Sequence, residues 1–205
     1  MVNASRFAQG MTFDEYLRFI ASPANLAREG SAAPRRDWSD FLRQAYDAAR
    51  IPPAHTEAWR WLVAQPGGPA KVLALSEEWS SDCRRDIPVL ARLADTAGIE
   101  LRIFTRDGQT MGRAPFPQPD SPNADLMAEF LNRRDGETFQ SIPIVAFYSK
   151  DLHEFLLPYD AVRLSPTPDD TLLEFLQTTY AAAADLAGWD SKSLEQKAAA
   201  AAASR

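Results

Sequence analysis

The chain has 205 residues but a single cysteine, Cys83, and only two histidines, His55 and His153. One thiol excludes any disulfide within the chain and, with it, a secreted scaffold held together by cross-links. Two histidines far apart in sequence, with no second cysteine, leave no ligand set for zinc or another soft metal. No apolar run approaches the roughly 20 residues needed to span a bilayer. Residues 1–10 lack the basic start and apolar middle of a secretory leader. An excess of positive charge is also missing. The net charge is −6, whereas nucleic acid binding needs a basic surface for the phosphates. Arg35-Arg36, Arg84-Arg85 and Arg133-Arg134 read as isolated solvated pairs. There is no Gly-x-Ser-x-Gly turn for a hydrolase, and no glycine-rich phosphate loop follows a strand. The expectation is a cytoplasmic protein with no membrane, nucleic acid, metal or cofactor partner.

What is present is enough apolar sequence, 45% of residues, to fill a core without staples. Residues 11–65 read as helical. Thr12 with Glu15 three positions on forms a capping-box pattern, and Phe13, Tyr16, Leu17 and Ile20 follow at helical spacing. Asp37 to Arg50 is a second helix, with Trp38, Phe41, Leu42, Ala45, Tyr46 and Ala49 on one stripe, ended by Pro52-Pro53. Thr56 to Ala64 is a third, closed by the turn Gln65-Pro66-Gly67-Gly68-Pro69. Trp59 and Trp61 are assigned to core packing.

From residue 70 strands alternate with helices. Lys71 to Leu75 is a strand, Asp82 to Ala97 a helix closed by Gly98, and Ile99 to Phe104 a second strand. Thr105 to Asn123 is a long loop, and Ala124 to Arg133 a helix. Pro143 to Tyr148 and Glu154 to Leu157 form two strands joined at Lys150-Asp151, and a last helix opens at Asp169-Asp170. The alanine-rich tail from 186 is expected to be frayed or disordered. The order β-α-β, helix, hairpin, helix describes an α/β sandwich around a mixed central sheet flanked by helices. The expected boundaries are a helical extension over 1–69, a core domain over 70–185 and a tail over 186–205.

Trp79-Ser80-Ser81-Asp82-Cys83 lies between the first of these strands and its helix. A cysteine near a helix start gains from unpaired N–H groups and the helix dipole, which favour the reactive thiolate. Together with Ser141-Ile142-Pro143 opening a later strand, the segment resembles the two halves of a thioredoxin-type site. The resemblance covers about residues 70–176. It implies a thioredoxin-like fold, a cis peptide at Pro143 beside the cysteine position, and substrate-binding roles for Trp79, Ser81, Asp82, Ile142 and Pro143. In that family the attacking cysteine of Cys-x-x-Cys stands where this chain has Ser80, and Cys83 matches the resolving cysteine. The family's buried acid, five positions before the tryptophan, is replaced by Ala74.

Dithiol turnover is therefore excluded, and Ser80 and Cys83 remain as the candidate catalytic pair of a degenerate site. Two readings stay open for Cys83. It is a monothiol exchanging with a protein thiol or glutathione, helped by Arg84 and Arg85 and opposed by Glu77, Glu78 and Asp82. Alternatively it is a small, half-buried apolar residue, with Ser80 and Ser81 acting as helix caps. In that case the groove of Trp79, Ser80, Ile142 and Pro143 serves noncovalent binding of a peptide or small ligand. A serine substituted for a native cysteine at 80 is a third possibility, which the gene sequence decides.

Overall fold

The computed structural model describes residues 2–155, apart from 32, 65, 66, 114, 135 and 153. The closing helix and alanine-rich tail expected from the sequence lie outside the described residues. In chain order the elements are α1 (Ala4–Phe7), α2 (Phe13–Ile20), α3 (Pro23–Leu26), α4 (Ser39–Ala48), α5 (Pro53–Val63), β1 (Lys71–Ser76), α6 (Ser81–Ala97), β2 (Glu100–Thr105), α7 (Ala124–Glu129), β3 (Asn132–Arg134), β4 (Glu137–Phe139), β5 (Ile144–Tyr148) and β6 (Glu154–Phe155).

The central sheet has the order β2-β1-β5-β6, with β1 parallel to β2 and antiparallel to β5. Every residue of β1 after Lys71 is buried, as is all of β5, so these strands are covered on both faces. Parallel pairing of β1 with β2 needs a crossover, which α6 supplies. Its inward face carries Ile87, Leu90, Leu93 and Ala94 as the spacing predicts, and Gly98 ends it in the left-handed conformation at φ 77. There glycine, with no side chain, avoids the steric penalty of a Cβ.

The helical first third joins the same apolar core. Tyr16, Leu17 and Ile20 of α2 and Leu42 of α4 are buried with the β1 residues. Thr12 and Glu15 form the expected capping box. Met11 pairs with Ile103 across an isolated bridge, which ties the chain just before α2 to β2. Trp59 is buried and stacks on Phe147 with ring centroids 5.6 Å apart.

Four expectations need correction. Trp61 is 45% exposed, because α5 turns only one side to the core. Phe41 is likewise exposed, so the α4 stripe is narrower than its sequence implies. The helix read to Arg133 stops at Glu129; residues 132–134 instead form β3, hairpin-paired with β4 across a turn containing Gly136 at φ 83. Finally, Arg35 is not a solvated surface residue. Its side chain has no exposure, for reasons that belong to the site.

Candidate functional site

β1 ends at Ser76 and α6 begins at Ser81, and the loop between them carries Glu77, Glu78, Trp79 and Ser80. Ser80 is the N-cap of α6. Its hydroxyl accepts from the Cys83 backbone N–H at 3.4 Å, the capping role that serine fills well. Ser81, the first helical residue, is exposed, and Asp82 is half-buried. Cys83 points inward and is 1% exposed. Its thiol is pushed up to about 12, with burial as the main cause. The Glu77 backbone and the hydroxyls of Ser76 and Ser80 pull the other way and lose, and the Glu77 charge adds to the rise. Arg84 and Arg85 are engaged elsewhere. Arg84 donates to the carbonyls of Glu78 and Trp79 and lies 4.0 Å over the Trp38 ring, while Arg85 pairs with Asp86 and Asp82.

The second half of the site comes from β5. Leu75 lies across from Ile144 in the antiparallel register, so one further step brings Ser76 opposite Pro143. Ser76 is the residue whose hydroxyl neighbours the Cys83 thiol. The Cys83 thiol therefore lies by the end of β1, and β5 begins beside that same end. The Ile142–Pro143 peptide is cis, as the resemblance implies. Ile142 and Pro143 are both buried, and Trp79 is half-buried.

Sequence reasoning missed what surrounds the loop. Glu77 and Glu78 are buried acids held by arginines from the helical third of the chain. Arg28 Nη2 donates to Glu77 Oε1 at 2.9 Å, and Arg35 Nη1 donates to Glu77 Oε2 at 2.6 Å and to both Glu78 oxygens at 2.9 Å. Glu77 Oε1 also accepts the backbone N–H groups of Arg106 and Asp107, at 2.8 and 2.7 Å. Asp107 closes the cluster: its Oδ2 accepts from Arg35 Nη2 at 3.0 Å and from Trp79 Nε1 at 2.9 Å. Its Oδ1 accepts from Arg106 Nε at 2.7 Å and from the Gly112 N–H at 3.0 Å. No acid stands at position 74, and Glu77, a buried acid of the loop, lies near enough for its charge to raise the Cys83 thiol. Burial raises the Glu77 carboxyl, as does the Asp107 charge, against the lowering effect of Arg28 and Arg35. The dipeptide Glu77-Glu78 was the available signal. Two adjacent acids after a buried strand need cations, and Arg28 and Arg35 are too distant in sequence to be picked out from the chain alone.

Among the described residues no cluster of three or more His, Cys, Asp or Glu is placed to hold a metal ion, and no helix is long and apolar enough to cross a membrane.

A loop, helix and opposing proline arranged around a β-α-β unit define the thioredoxin class of fold. A family model described as Thioredoxin matches residues 37–161, and the chain belongs to that family. A second model, described as a family of unknown function (DUF5996), matches residues 134–196. No curated protein matches. Among solved structures, an HIV 4E10 epitope-scaffold is similar at 14% identity and a TM-score of 0.50, over 100% of this chain and 99% of its own. That likeness concerns the fold alone. A protein of unknown function from Pseudomonas aeruginosa aligns over 99% of this chain and 96% of its own, at 17% identity and a TM-score of 0.45.

Proposed function

We propose that this thioredoxin-family chain binds an extended polypeptide segment noncovalently, through the surface of Trp79, Ser81 and Asp82 beside the buried Ile142–Pro143 strand opening, without thiol turnover. The observation that carries the reading is the sealed thiol. Cys83 is 1% exposed with its ionisation pushed up to about 12, so at neutral pH it is protonated and out of reach of a disulfide. Ser80 serves as a helix cap, and among the described residues no hydrogen bond links its hydroxyl to a base that could activate it. What the resemblance leaves is the backbone-pairing half of the site, which needs no thiol.

The competing monothiol reading, with glutathione or a protein thiol as partner, is separated by one experiment with two measurements. Native protein incubated with oxidised glutathione is expected to show no mass adduct, whereas guanidinium-unfolded protein takes up one glutathione. S-carboxymethylated insulin B chain, an unfolded probe with no free thiol, is expected to bind saturably to wild type and equally to Cys83→Ala, and more weakly to Trp79→Ala. A native adduct, or loss of binding in Cys83→Ala, would return the thiol to the centre of the mechanism. No saturable binding of the probe would reject the binding reading.

A further inference from the structure

The acids around Trp79 are engaged internally. Glu77, Glu78 and Asp107 are each at most 1% exposed, and their charges are met by Arg28, Arg35 and Arg106. Arg84, which follows the cysteine, is placed differently. Its Nη1 donates to the carbonyls of Glu78 and Trp79 at 2.9 and 2.8 Å, and its guanidinium lies 4.0 Å from the centre of the Trp38 ring. All three partners are neutral. Among the described residues no carboxylate pairs with Arg84, and its Nε and Nη2 donate no hydrogen bond. The residue is half-buried rather than sealed. A guanidinium with donors to spare is best matched by a carboxylate.

Aromatic rings continue from this cation in two directions. Trp38, beneath Arg84, meets Phe41 edge-on with ring centroids 5.7 Å apart, and Phe41 is 48% exposed. Trp79, whose carbonyl Arg84 holds, is half-buried, with its Nε1 fixed on Asp107. Arg106 is buried and lies 5.3 Å from the centre of the Trp79 ring. The ring therefore already carries a cation on its buried side, and a lysine or arginine on its open face would be repelled.

The acids near this surface set the size of the effect. Asp82 faces Arg85 at 3.5 Å, and Asp37 accepts from the N–H and hydroxyl of Ser39. Asp40 is exposed in the same turn as Phe41 and opposes an acidic ligand, so the preference is a modest one. In an extended chain every second side chain points the same way, with roughly 7 Å between them. A segment laid along Phe41, Arg84 and Trp79 then offers side chains i, i+2 and i+4 to that surface.

We propose that the polypeptide surface selects segments of the form apolar-x-acidic-x-apolar, the acid pairing with Arg84 and the apolar side chains resting on Phe41 and Trp79, and that it rejects a basic residue at the centre. This selection rests on the polypeptide-binding reading and names the class of segment that the surface takes.

Fluorescein-labelled peptides titrated with the full chain, and followed by anisotropy, are the test. Each carries Phe-Ser-Glu-Ser-Phe, or the same with Gln or Lys at the centre, in identical Gly-Ser flanks. The Glu peptide is expected to bind about fivefold more tightly than the Gln peptide, the upper range for a partly exposed ion pair, and the Lys peptide more weakly still. The margin should shrink as salt is raised. Arg84→Gln should abolish the Glu-over-Gln margin without weakening the Gln peptide, and Arg84→Lys, which keeps the charge, should retain part of it. Phe41→Ser, at an exposed position, should weaken the three peptides alike. Arg60→Gln, beside Thr96 at the far end of α6, removes the same net charge and should leave the margin intact. Equal binding of the Glu and Gln peptides, a Lys peptide bound as well as the Glu peptide, a margin that survives in Arg84→Gln or is lost in Arg60→Gln, or no saturable peptide binding would each overturn the selection. If S-carboxymethylated insulin B chain still binds through Trp79, the selection alone has failed; if it does not bind either, the polypeptide-binding reading has failed too.

Discussion

At Cys83 two effects oppose each other, and their sizes decide the outcome. A helix start lowers a thiol, and full removal from water raises it. Burial is the larger, and the group ends near 12. Iodoacetamide at pH 8 should therefore alkylate native protein at least a hundredfold more slowly than the unfolded chain, followed by mass spectrometry. Comparable rates would show that the thiol is open. The shift also has a signature in stability. A free thiol ionises near ~8.5, so below that value the folded preference for the neutral form is fully present. From about 8.5 upward the unfolded chain loses its proton first, and stability falls until the folded thiol itself ionises. The drop in urea midpoint between pH 7 and pH 10 should accordingly be larger for wild type than for Cys83→Ala; equal drops would remove Cys83 as the cause.

The same scale governs Arg35. Its one guanidinium holds Glu77, Glu78 and Asp107, and its side chain has no exposure. Removing one partner of a buried ion cluster strands the charges left behind, at about 3–5 kcal/mol. Arg35→Met should lose about that much in denaturant unfolding, while Arg36→Met, at an exposed position, should lose less than about 0.5 kcal/mol.

Among the elements, those with strong local signals match their reading closely. The Thr12–Glu15 capping box starts α2, and Thr12→Ala should cost about 1 kcal/mol in thermal or urea unfolding. Gly98 ends α6 at φ 77, so Gly98→Ala should cost about 1–2 kcal/mol for the strained backbone, even though a Cβ there would meet nothing within 4 Å. The misread element was α7. Leu126, Met127, Phe130 and Leu131 follow helical spacing, but Phe130 is already the C-cap. The hairpin beyond it, Asn132–Arg134 against Glu137–Phe139, has no alternating apolar face and few β-branched residues, so periodicity could not reveal it. Its pairing depends on the turn at Gly136 and on a neighbouring contact from Asn132 to Ser141.

Across the whole molecule, the family match begins at residue 37, yet two of the arginines that neutralise the site acids, Arg28 and Arg35, precede it. A chain starting at residue 37 would carry Glu77, Glu78 and Asp107 in a buried loop without those cations. It should show no cooperative thermal transition by near-UV circular dichroism. A transition at the full-length temperature would show that the first 36 residues are dispensable.

The sequence by itself determined the β-α-β order, the position of the lone thiol one turn into a helix, and the absence of dithiol chemistry. Each of these depends on local spacing or on a residue that is simply not there. Only the tertiary structure decided that the thiol is sealed, that Arg35 is buried, and that Glu77 and Glu78 belong to a shared ion cluster. Burial and charge pairing depend on residues separated by tens of positions along the chain. No local pattern records which of many arginines a folded backbone will carry to a particular carboxylate.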